Sequence, residues 1–348
     1  MMREKLKKLK EKLKHYSAYS EEDILLVRNY DATGDELHVD VPLSNLVTNY
    51  IPDGFIAPRV FPTIDVPKKS DMIPEIPLGE FARLLDAKRS PGTEAKKVMF
   101  EITTKTYYCE NYALKAPLTI EDRTNSDAVW NLRTNQSIFI RTLLAIGYEN
   151  RTQSRVVNGV NSTYNPASAW SAVTSGPRIF NDIETLLNDT EDTTGRRPNQ
   201  LIFGSTAWRE IRKNNWYNDK LFPHGGGIMS QAQLAALHGV DEVLVPTPYY
   251  NTTAEGLGSA NLATIWNKDD VYALFSPEIN GNAIPPTSIF GVTISWRMAG
   301  GIAPNWIVRA LPFDQKTLAD EVEISTYQDE KVIDGSLGVA YRGVNSAQ

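Results

Sequence analysis

The sequence predicts an α+β fold in which a long extended hairpin and a long helix accompany an α/β body. Three observations carry this prediction. Seven prolines lie within residues 52–92, which favours extended, partly exposed chain over a compact core element. Apolar residues at helical spacing predict a long helix over residues 127–152. From residue 176 onward, short helical and strand patterns alternate, as in an α/β domain.

The composition is that of a globular protein and excludes several classes of function. Of the 348 residues, 41% are hydrophobic and 22% are charged, so wholesale disorder is excluded. The single cysteine, Cys109, excludes an intramolecular disulfide and a thiolate metal cage, and the four histidines leave little material for a His-rich site. We expect no membrane-spanning helix, because no stretch approaches 18 consecutive apolar residues. The basic start lacks an apolar h-region, so a signal peptide is not expected.

Charge is unevenly distributed along the chain. The net charge is −6, yet seven basic and two acidic residues give residues 1–14 a charge of +5, which leaves −11 for the remainder. A body this acidic argues against a nucleic-acid reader in the globular part. The basic segment, residues 1–14, is interpreted as a solvated terminal helix, a docking segment for a partner subunit or a contact to a polyanion. The lysines that we predict to act in assembly are Lys5, Lys7, Lys8, Lys12 and Lys14.

An extended hairpin is predicted after an acidic arm (residues 15–42) and a short helix (residues 43–50). Its two strands are predicted at residues 60–66 and 97–108, joined by the charged segment 79–95. A long two-stranded hairpin is marginal alone and needs a partner surface. We therefore predict that it lies across a neighbouring subunit and that basic side chains at its tip meet acidic surface. These side chains are Arg83, Lys88 and Arg89.

The long helix is predicted over Asp127–Thr152. At 1.5 Å per residue it would span roughly 37 Å. Its buried face is expected to consist of apolar residues spaced by three, four or seven positions: Val129, Leu132, Phe139, Leu143 and Ile146.

The remaining chain predicts an α/β region followed by a strand-rich end. Helices are predicted at residues 178–187, 205–213 and 230–237, with Ser205 as the N-cap of the second and Gly239 closing the third. Strands are predicted at residues 197–204, 242–246, 262–266 and 271–275, and alternating strands around residues 292–296 and 321–325.

Motifs for chemistry are nearly absent. There is no G-x-x-x-x-G-K-[ST] phosphate loop and no H-E-x-x-H metal motif. His224-Gly225-Gly226-Gly227 resembles an oxyanion-hole segment of esterases, but the G-x-S-x-G elbow that such chemistry needs is missing. Cys109 precedes Glu110, and an adjacent carboxylate raises a thiol pKa, so a structural cysteine is predicted. We therefore expect no catalytic, cofactor-binding or metal site and no enzyme activity.

Several segments, taken in order along the chain, point to a known family. They are Phe55–Pro62, Gly79–Phe81, Arg89–Ala95, Tyr108–Lys115, Pro198–Gly204 followed by Trp208, Gln233–Val240 and Ile265–Asp269. Together they resemble the major capsid proteins of tailed bacteriophages. The resemblance covers about residues 43–310, and it rests on the order of many short motifs rather than on one diagnostic motif.

The resemblance implies the Hong Kong 97-type capsid fold, an α+β fold. Its parts are an N-terminal arm, a long extended β-hairpin loop, a peripheral domain with a long spine helix, and an axial α/β domain. The implied divisions are residues 1–54 for the basic helix and arm, 55–115 for the extended loop, 116–189 for the peripheral domain with spine helix 127–152, 190–286 for the axial domain, and 287–348 for strands that return to the peripheral domain.

The function implied by the resemblance is structural. The chain would be a major head protein that assembles with itself, through pentamers and hexamers, into an icosahedral shell around double-stranded DNA. The implied partners are a portal, a scaffold or decoration protein, and packaged DNA through non-specific contacts, with no membrane. The implied location is the virion, after assembly in the host bacterial cytoplasm. Two alternatives stay open: an encapsulin-like or gene-transfer-agent shell, and a soluble hydrolase, which the missing elbow and metal ligands disfavour.

Overall fold

The computed structural model describes twelve stretches of the chain. They are residues 41–75, 78–81, 83–99, 103–125, 132–173, 176–222, 227–253, 261–277, 279, 289–297, 306–314 and 318–345. The basic segment, the arm as far as residue 40, the first residues of the predicted long helix and His224 therefore lie outside the described residues.

Most helices of the described residues are short; the two long ones have 17 and 28 residues. In chain order they are α1 (Val41–Asn49), α2 (Ala57–Val60), α3 (Leu78–Phe81), α4 (Ile120–Asn125), α5 (Leu132–Gly159), α6 (Arg178–Thr194), α7 (Ser205–Lys213), α8 (Asn215–Leu221) and α9 (Gln231–His238). Two 3₁₀ turns, Trp170–Ala172 and Gly335–Leu337, accompany them.

The strands form two five-stranded sheets and two smaller pairs. In chain order they are β1 (Thr63–Val66), β2 (Ser70–Glu75), β3 (Thr103–Tyr108), β4 (Glu110–Thr119), β5 (Ser162–Tyr164), β6 (Gln200–Phe203), β7 (Glu242–Leu244), β8 (Tyr249–Asn251), β9 (Leu262–Thr264), β10 (Val271–Leu274), β11 (Gly291–Trp296), β12 (Ile307–Asp314), β13 (Ala319–Val332) and β14 (Gly338–Tyr341).

The first sheet is organised around β13, a strand of 14 residues. It runs β1-β11-β13-β12, and β4 pairs with β13 antiparallel from Thr119 opposite Ala319 to Glu110 opposite Gln328. The second sheet runs β5-β14-β10-β6-β7. Its strand β10 is buried on both faces, which explains why Val271–Leu274 is a continuous apolar run rather than an alternating one.

The predicted long helix is present as α5 and packs on β13 and β4 of the first sheet. The predicted buried face was wrong at two positions, whereas Ile146 does pack against a core cluster and Val129 lies outside the described residues. Phe139 is 62% exposed and Leu143 is 43% exposed, whereas Ile140 and Leu144 are buried against the sheet. The helix carries apolar residues on two neighbouring stripes, and the spacing alone does not tell which stripe meets the sheet.

The predicted pairing of the extended hairpin was also wrong. β1, within the first predicted strand of the hairpin, pairs parallel with β11 in the first sheet, and Ile64 is buried there. The hairpin is formed by β2 and β3, which pair antiparallel from Ser70 opposite Tyr108 to Glu75 opposite Thr103. The prolines mislead because Pro58 lies inside the short helix α2 and does not mark exposed chain.

The α/β region agrees better with its predictions. The helix α7 has the predicted bounds, although Gly204 rather than Ser205 is its N-cap residue. The helix α9 begins at a Ser230 capping box and ends at Gly239 in the left-handed conformation. The helix α6 continues past the predicted end to Thr194. The division of the chain into domains stays a prediction.

Candidate assembly interface

The predicted extended loop has a stem that packs on the body of the chain. The stem consists of β2 and β3, and its Ile73 and Tyr107 are buried in a cluster that includes Ile64, Ile294 and Ile333. Successive side chains of a strand point to opposite faces, so one face of this narrow hairpin can be apolar and pack on the first sheet.

Polar contacts hold the base of the stem to β13 and to itself. The Tyr108 backbone N–H donates to a carboxylate oxygen of Asp329 at 3.0 Å, and the Cys109 N–H donates to the Lys69 carbonyl at 2.9 Å. The Lys105 ammonium donates to the Ile333 carbonyl. The stem therefore leaves the body in a direction fixed by both packing and hydrogen bonds.

The loop tip, residues 83–99, has a different environment. All of its side chains are exposed, and no helix or strand is present in it. Four of the exposed side chains are large and apolar: Leu84, Leu85, Val98 and Met99. An isolated chain gains nothing from presenting such side chains to water, so the loop tip is the strongest candidate for a surface that a partner covers.

The predicted basic side chains do lie in the loop tip. Five basic and two acidic residues give it a charge of +3. The Arg83 guanidinium pairs with Glu80, and the Arg89 Nε donates to the Thr93 carbonyl. Arg83, Lys88 and Arg89 are thus brought together in one exposed segment. Lys5, Lys7, Lys8, Lys12 and Lys14 lie outside the described residues.

A second exposed apolar surface lies along the outer side of α5. Gln136 donates to the Pro117 carbonyl at 3.0 Å, and the Arg151 guanidinium stacks 3.6 Å from the centre of the Tyr112 ring. The part of α5 between these contacts, with Phe139 and Leu143, therefore runs beside β4. We call the exposed apolar residues of this region the helix flank; they are Leu114, Phe139 and Leu143.

Acidic side chains lie at one end of the helix flank. Glu121 and Asp122 are exposed in α4, which directly follows β4. Ile120 and Leu318 are exposed beside them, joined by a hydrogen bond from the Ile120 N–H to the Leu318 carbonyl of 3.1 Å. This end of β4 combines apolar and acidic surface, the complement of the loop tip.

A buried carboxylate joins the root of the loop to the rest of the body. Glu149 of α5 is fully buried and accepts hydrogen bonds from the Ile56 and Ala57 N–H groups and from the Trp266 indole, the last at 2.6 Å. Burial raises the pKa of Glu149, although the three donors act in the opposite direction. The sequence signal for this contact is weak, because Glu149 shares the buried side of α5 with other polar residues, among them Arg141 and Thr152.

A carboxylate–imidazole–phenol hydrogen-bonded triad is present in the α/β region, and no motif in the sequence predicts it. His238 Nδ1 lies 2.7 Å from Glu184, and its Nε2 lies 3.1 Å from the Tyr217 hydroxyl. Burial lowers the pKa of His238 and raises the pKa of Tyr217 well above its usual value. His238 and Tyr217 are both buried, so these hydrogen bonds connect α6, α8 and α9, and the three groups offer no accessible nucleophile.

Other chemistry finds little support in the described part of the chain. Cys109 is fully buried, and its Sγ contacts the Ile294 carbonyl at 3.6 Å. Burial, with Asp329 second, raises the pKa of its thiol to about 12, so the predicted direction holds while the cause is not Glu110. Among the described residues there is neither a group of three metal-binding side chains nor a helix long and apolar enough to cross a membrane.

Comparison with known proteins identifies the fold. No family model matches the chain, and no curated protein matches it. A phage-related protein from Bordetella bronchiseptica RB50 is similar over 89% of this chain and 98% of its own, with 19% identity and a TM-score of 0.69. The capsid of cyanophage P-SCSP1u is similar over 82% and 87%, with 12% identity and a TM-score of 0.53.

A structure from Microbacterium phage Oxtober96 is similar over 95% of this chain and 98% of its own, with 12% identity and a TM-score of 0.52. These structures and this chain share one α+β architecture over most of their lengths. The chain has the Hong Kong 97-type fold of phage capsid proteins.

Proposed function

We propose that this chain is the major capsid protein of a tailed double-stranded DNA bacteriophage. It would assemble with itself, through pentamers and hexamers, into an icosahedral shell that encloses the genome. The fold supports a shell-forming subunit. The observation that carries the proposal is the loop tip, because a folded subunit that projects 17 exposed residues with four large apolar side chains is incomplete by itself.

The loop tip is proposed to lie on the helix flank of a neighbouring subunit. Its charge of +3 complements Glu121 and Asp122, and its leucines complement the exposed apolar residues of the flank. A single exposed ion pair contributes about 0–1 kcal/mol, so one such contact is weak. Repetition over many copies in a closed shell makes the sum effective.

Deletion of the loop tip tests the proposal. Residues 83–99 are replaced by a short Gly-Ser linker, which leaves the stem and its core contacts in place. We expect folded subunits that fail to close shells in negative-stain electron micrographs, while the wild-type chain forms closed particles. Closed particles of normal size from the deletion variant would contradict the proposed role of the loop tip.

A milder variant isolates the contribution of charge. Arg83, Lys88 and Arg89 are changed together to Gln, with Arg209, Arg212 and Lys213 of α7 changed to Gln as a matched control of equal charge loss. The tip variant should assemble more slowly, and its assembly should depend less on salt concentration than that of the control. Equal assembly of both variants would show that the tip acts through its apolar side chains alone.

The remaining proposed partners concern the content of the shell. Packaged DNA would be contacted non-specifically, with Lys5, Lys7, Lys8, Lys12 and Lys14 as the proposed contacts, and a portal and a scaffold or decoration protein would complete the head. Assembly would take place in the host bacterial cytoplasm and end in the virion.

Particles from producing cells should contain nuclease-protected double-stranded DNA. Particles that enclose only a protein cargo would instead identify an encapsulin-like shell.

A further inference from the structure

Arg141 is a buried arginine on the sheet-facing side of α5. It is 4% exposed. Its Nε donates to the Val47 carbonyl at 3.2 Å, and its guanidinium lies 3.8 Å from the centre of the Trp306 ring. Its Nη1 is buried without a hydrogen-bond partner in the described part of the chain. A guanidinium has five N–H donors, so these contacts leave much of its capacity unused.

No carboxylate of the described residues pairs with this charge. Glu149 lies two turns further along α5, about 12 Å away at 1.5 Å per residue, and is already bound by three N–H donors. Glu330 accepts from Arg151 and from Gln328. Burial lowers the pKa of Arg141 to about 10, with Tyr148 and Tyr50 acting in the opposite direction, so the side chain stays charged at neutral pH.

A cavity of about 130 Å³ adjoins the guanidinium. Its described lining combines polar, aromatic and aliphatic side chains and contains no acidic residue; beside Arg141 it includes Thr48, Ile51, Tyr148, Trp306 and Gln328. A water molecule occupies about 30 Å³ in the liquid, so the cavity has room for an anion of chloride or carboxylate size together with water.

We infer that this cavity binds a small monovalent anion, a halide or a free carboxylate, with Arg141 as its principal ligand. An isolated buried ion is costly, and stacking on Trp306 offsets only part of that cost. A bound anion supplies the missing counter-charge and accepts from the unused N–H donors. Because α1, α5 and β12 meet at this point, the anion would stabilise the contact of Val47 and Trp306 with the long helix.

The inference is tested by following unfolding of the full-length protein in increasing sodium chloride and sodium acetate. The wild-type folding constant should rise by the factor 1 + [anion]/Kd, about tenfold at nine times Kd. Arg141→Met has similar length and no charge, and it should lose this response. It should also equal or exceed the wild type in stability at the lowest salt, because it removes an uncompensated buried charge.

Arg155→Met is the matched control, since Arg155 is an exposed arginine on the same helix. It should keep the wild-type response, which separates specific binding from general salt effects. Line broadening of chloride by the wild type, reversed by acetate, is a second readout should Arg141→Met fail to fold; it should be kept by Arg155→Met and weakened by Arg141→Lys. A salt response that is absent in the wild type, or equal in Arg141→Met, would overturn the inference.

Discussion

The stem and the tip of the extended loop belong to one excursion of the chain, yet they have opposite relations to the subunit. In the stem, Ile73 and Tyr107 are buried and the backbone is tied to β13. In the tip, Leu84 and Met99 are exposed and no regular structure forms. Apolar side chains in the stem therefore stabilise the subunit, whereas those in the tip have nothing to stabilise until another surface covers them.

Tyr107 and Tyr108 provide the sharpest test of this comparison, because they are adjacent on β3 and point to opposite faces. Tyr107 is buried and donates to the Lys68 carbonyl at 3.2 Å; Tyr108 is exposed, with the Lys69 ammonium 5.0 Å from its ring centre. We expect Tyr107→Ala to lower the free energy of unfolding by about 3–5 kcal/mol. Tyr108→Ala should cost less than about 1 kcal/mol.

Denaturant unfolding of unassembled subunits measures both values. A loss for Tyr107→Ala as small as the one expected for Tyr108→Ala would mean that the stem does not rest on the body as described, and the distinction between stem and tip would fail.

The same contrast is present on α5, where Leu143 and Leu144 are neighbours. Leu144 is buried with Ile140, Val308 and Ile324, so Leu144→Ala should lower the free energy of unfolding by about 2–5 kcal/mol. Leu143 is 43% exposed, so Leu143→Ala should cost less than about 1 kcal/mol in the subunit. Denaturant unfolding checks both. If Leu143→Ala unfolds normally but assembles poorly, the helix flank is an interface; normal assembly would remove it from the proposal.

The elements of this fold follow from local sequence more readily than their partners do. The capping box at Ser230 and the left-handed Gly239 are local signals, and the helix between them has nearly the predicted bounds. Strand pairing is not a local property. β1 and β2 are both short extended segments, and tertiary contacts decide that β1 pairs with β11 in the first sheet while β2 pairs with β3. The choice between Leu143 and Leu144 depends on β4 and β13, which are distant in sequence.

The candidate interface was predicted only in part, because some of its features are local in sequence and others depend on tertiary contacts. Charge identifies an exposed segment with Arg83, Lys88 and Arg89, because exposure of a charged segment needs no tertiary information. The helix flank was not predicted, because an apolar residue at helical spacing, such as Phe139, is normally expected to face the core. Arg141 was missed as well, because a lone arginine in a helix is ordinarily solvated and its burial is decided by Trp306 and Val47.

Glu149 tests whether the root of the loop is held by an ionisable group. Its pKa is raised in the folded state, so between the unfolded pKa, near 4.3, and the folded value the native state binds more protons than the unfolded state. The stability from this group is therefore full below pH 4 and declines as pH rises through that window. Glu149→Gln should flatten this decline in unfolding measured from pH 4 to 7.

The variant also replaces one acceptor oxygen by an amide that opposes an N–H donor. We expect a loss of about 1–3 kcal/mol near pH 7 from the unsatisfied donor. Asp192→Asn, at an exposed position of α6, is the control for removal of a surface carboxylate. An unchanged pH slope in Glu149→Gln would show that another group governs stability in this range.

Cys109 lies between β3 and β4, where the stem enters the first sheet, and it should give the smallest effect. Cys109→Ala removes one buried sulfur and should cost about 1 kcal/mol, with assembly intact. The thiol pKa of about 12 leaves almost no thiolate at neutral pH, and the side chain is fully buried. Alkylation should therefore be slow in the native subunit and fast in denaturant. Rapid native alkylation, or disulfide-linked subunits on non-reducing gels, would show that the stem opens at its base and is not held firmly on the first sheet.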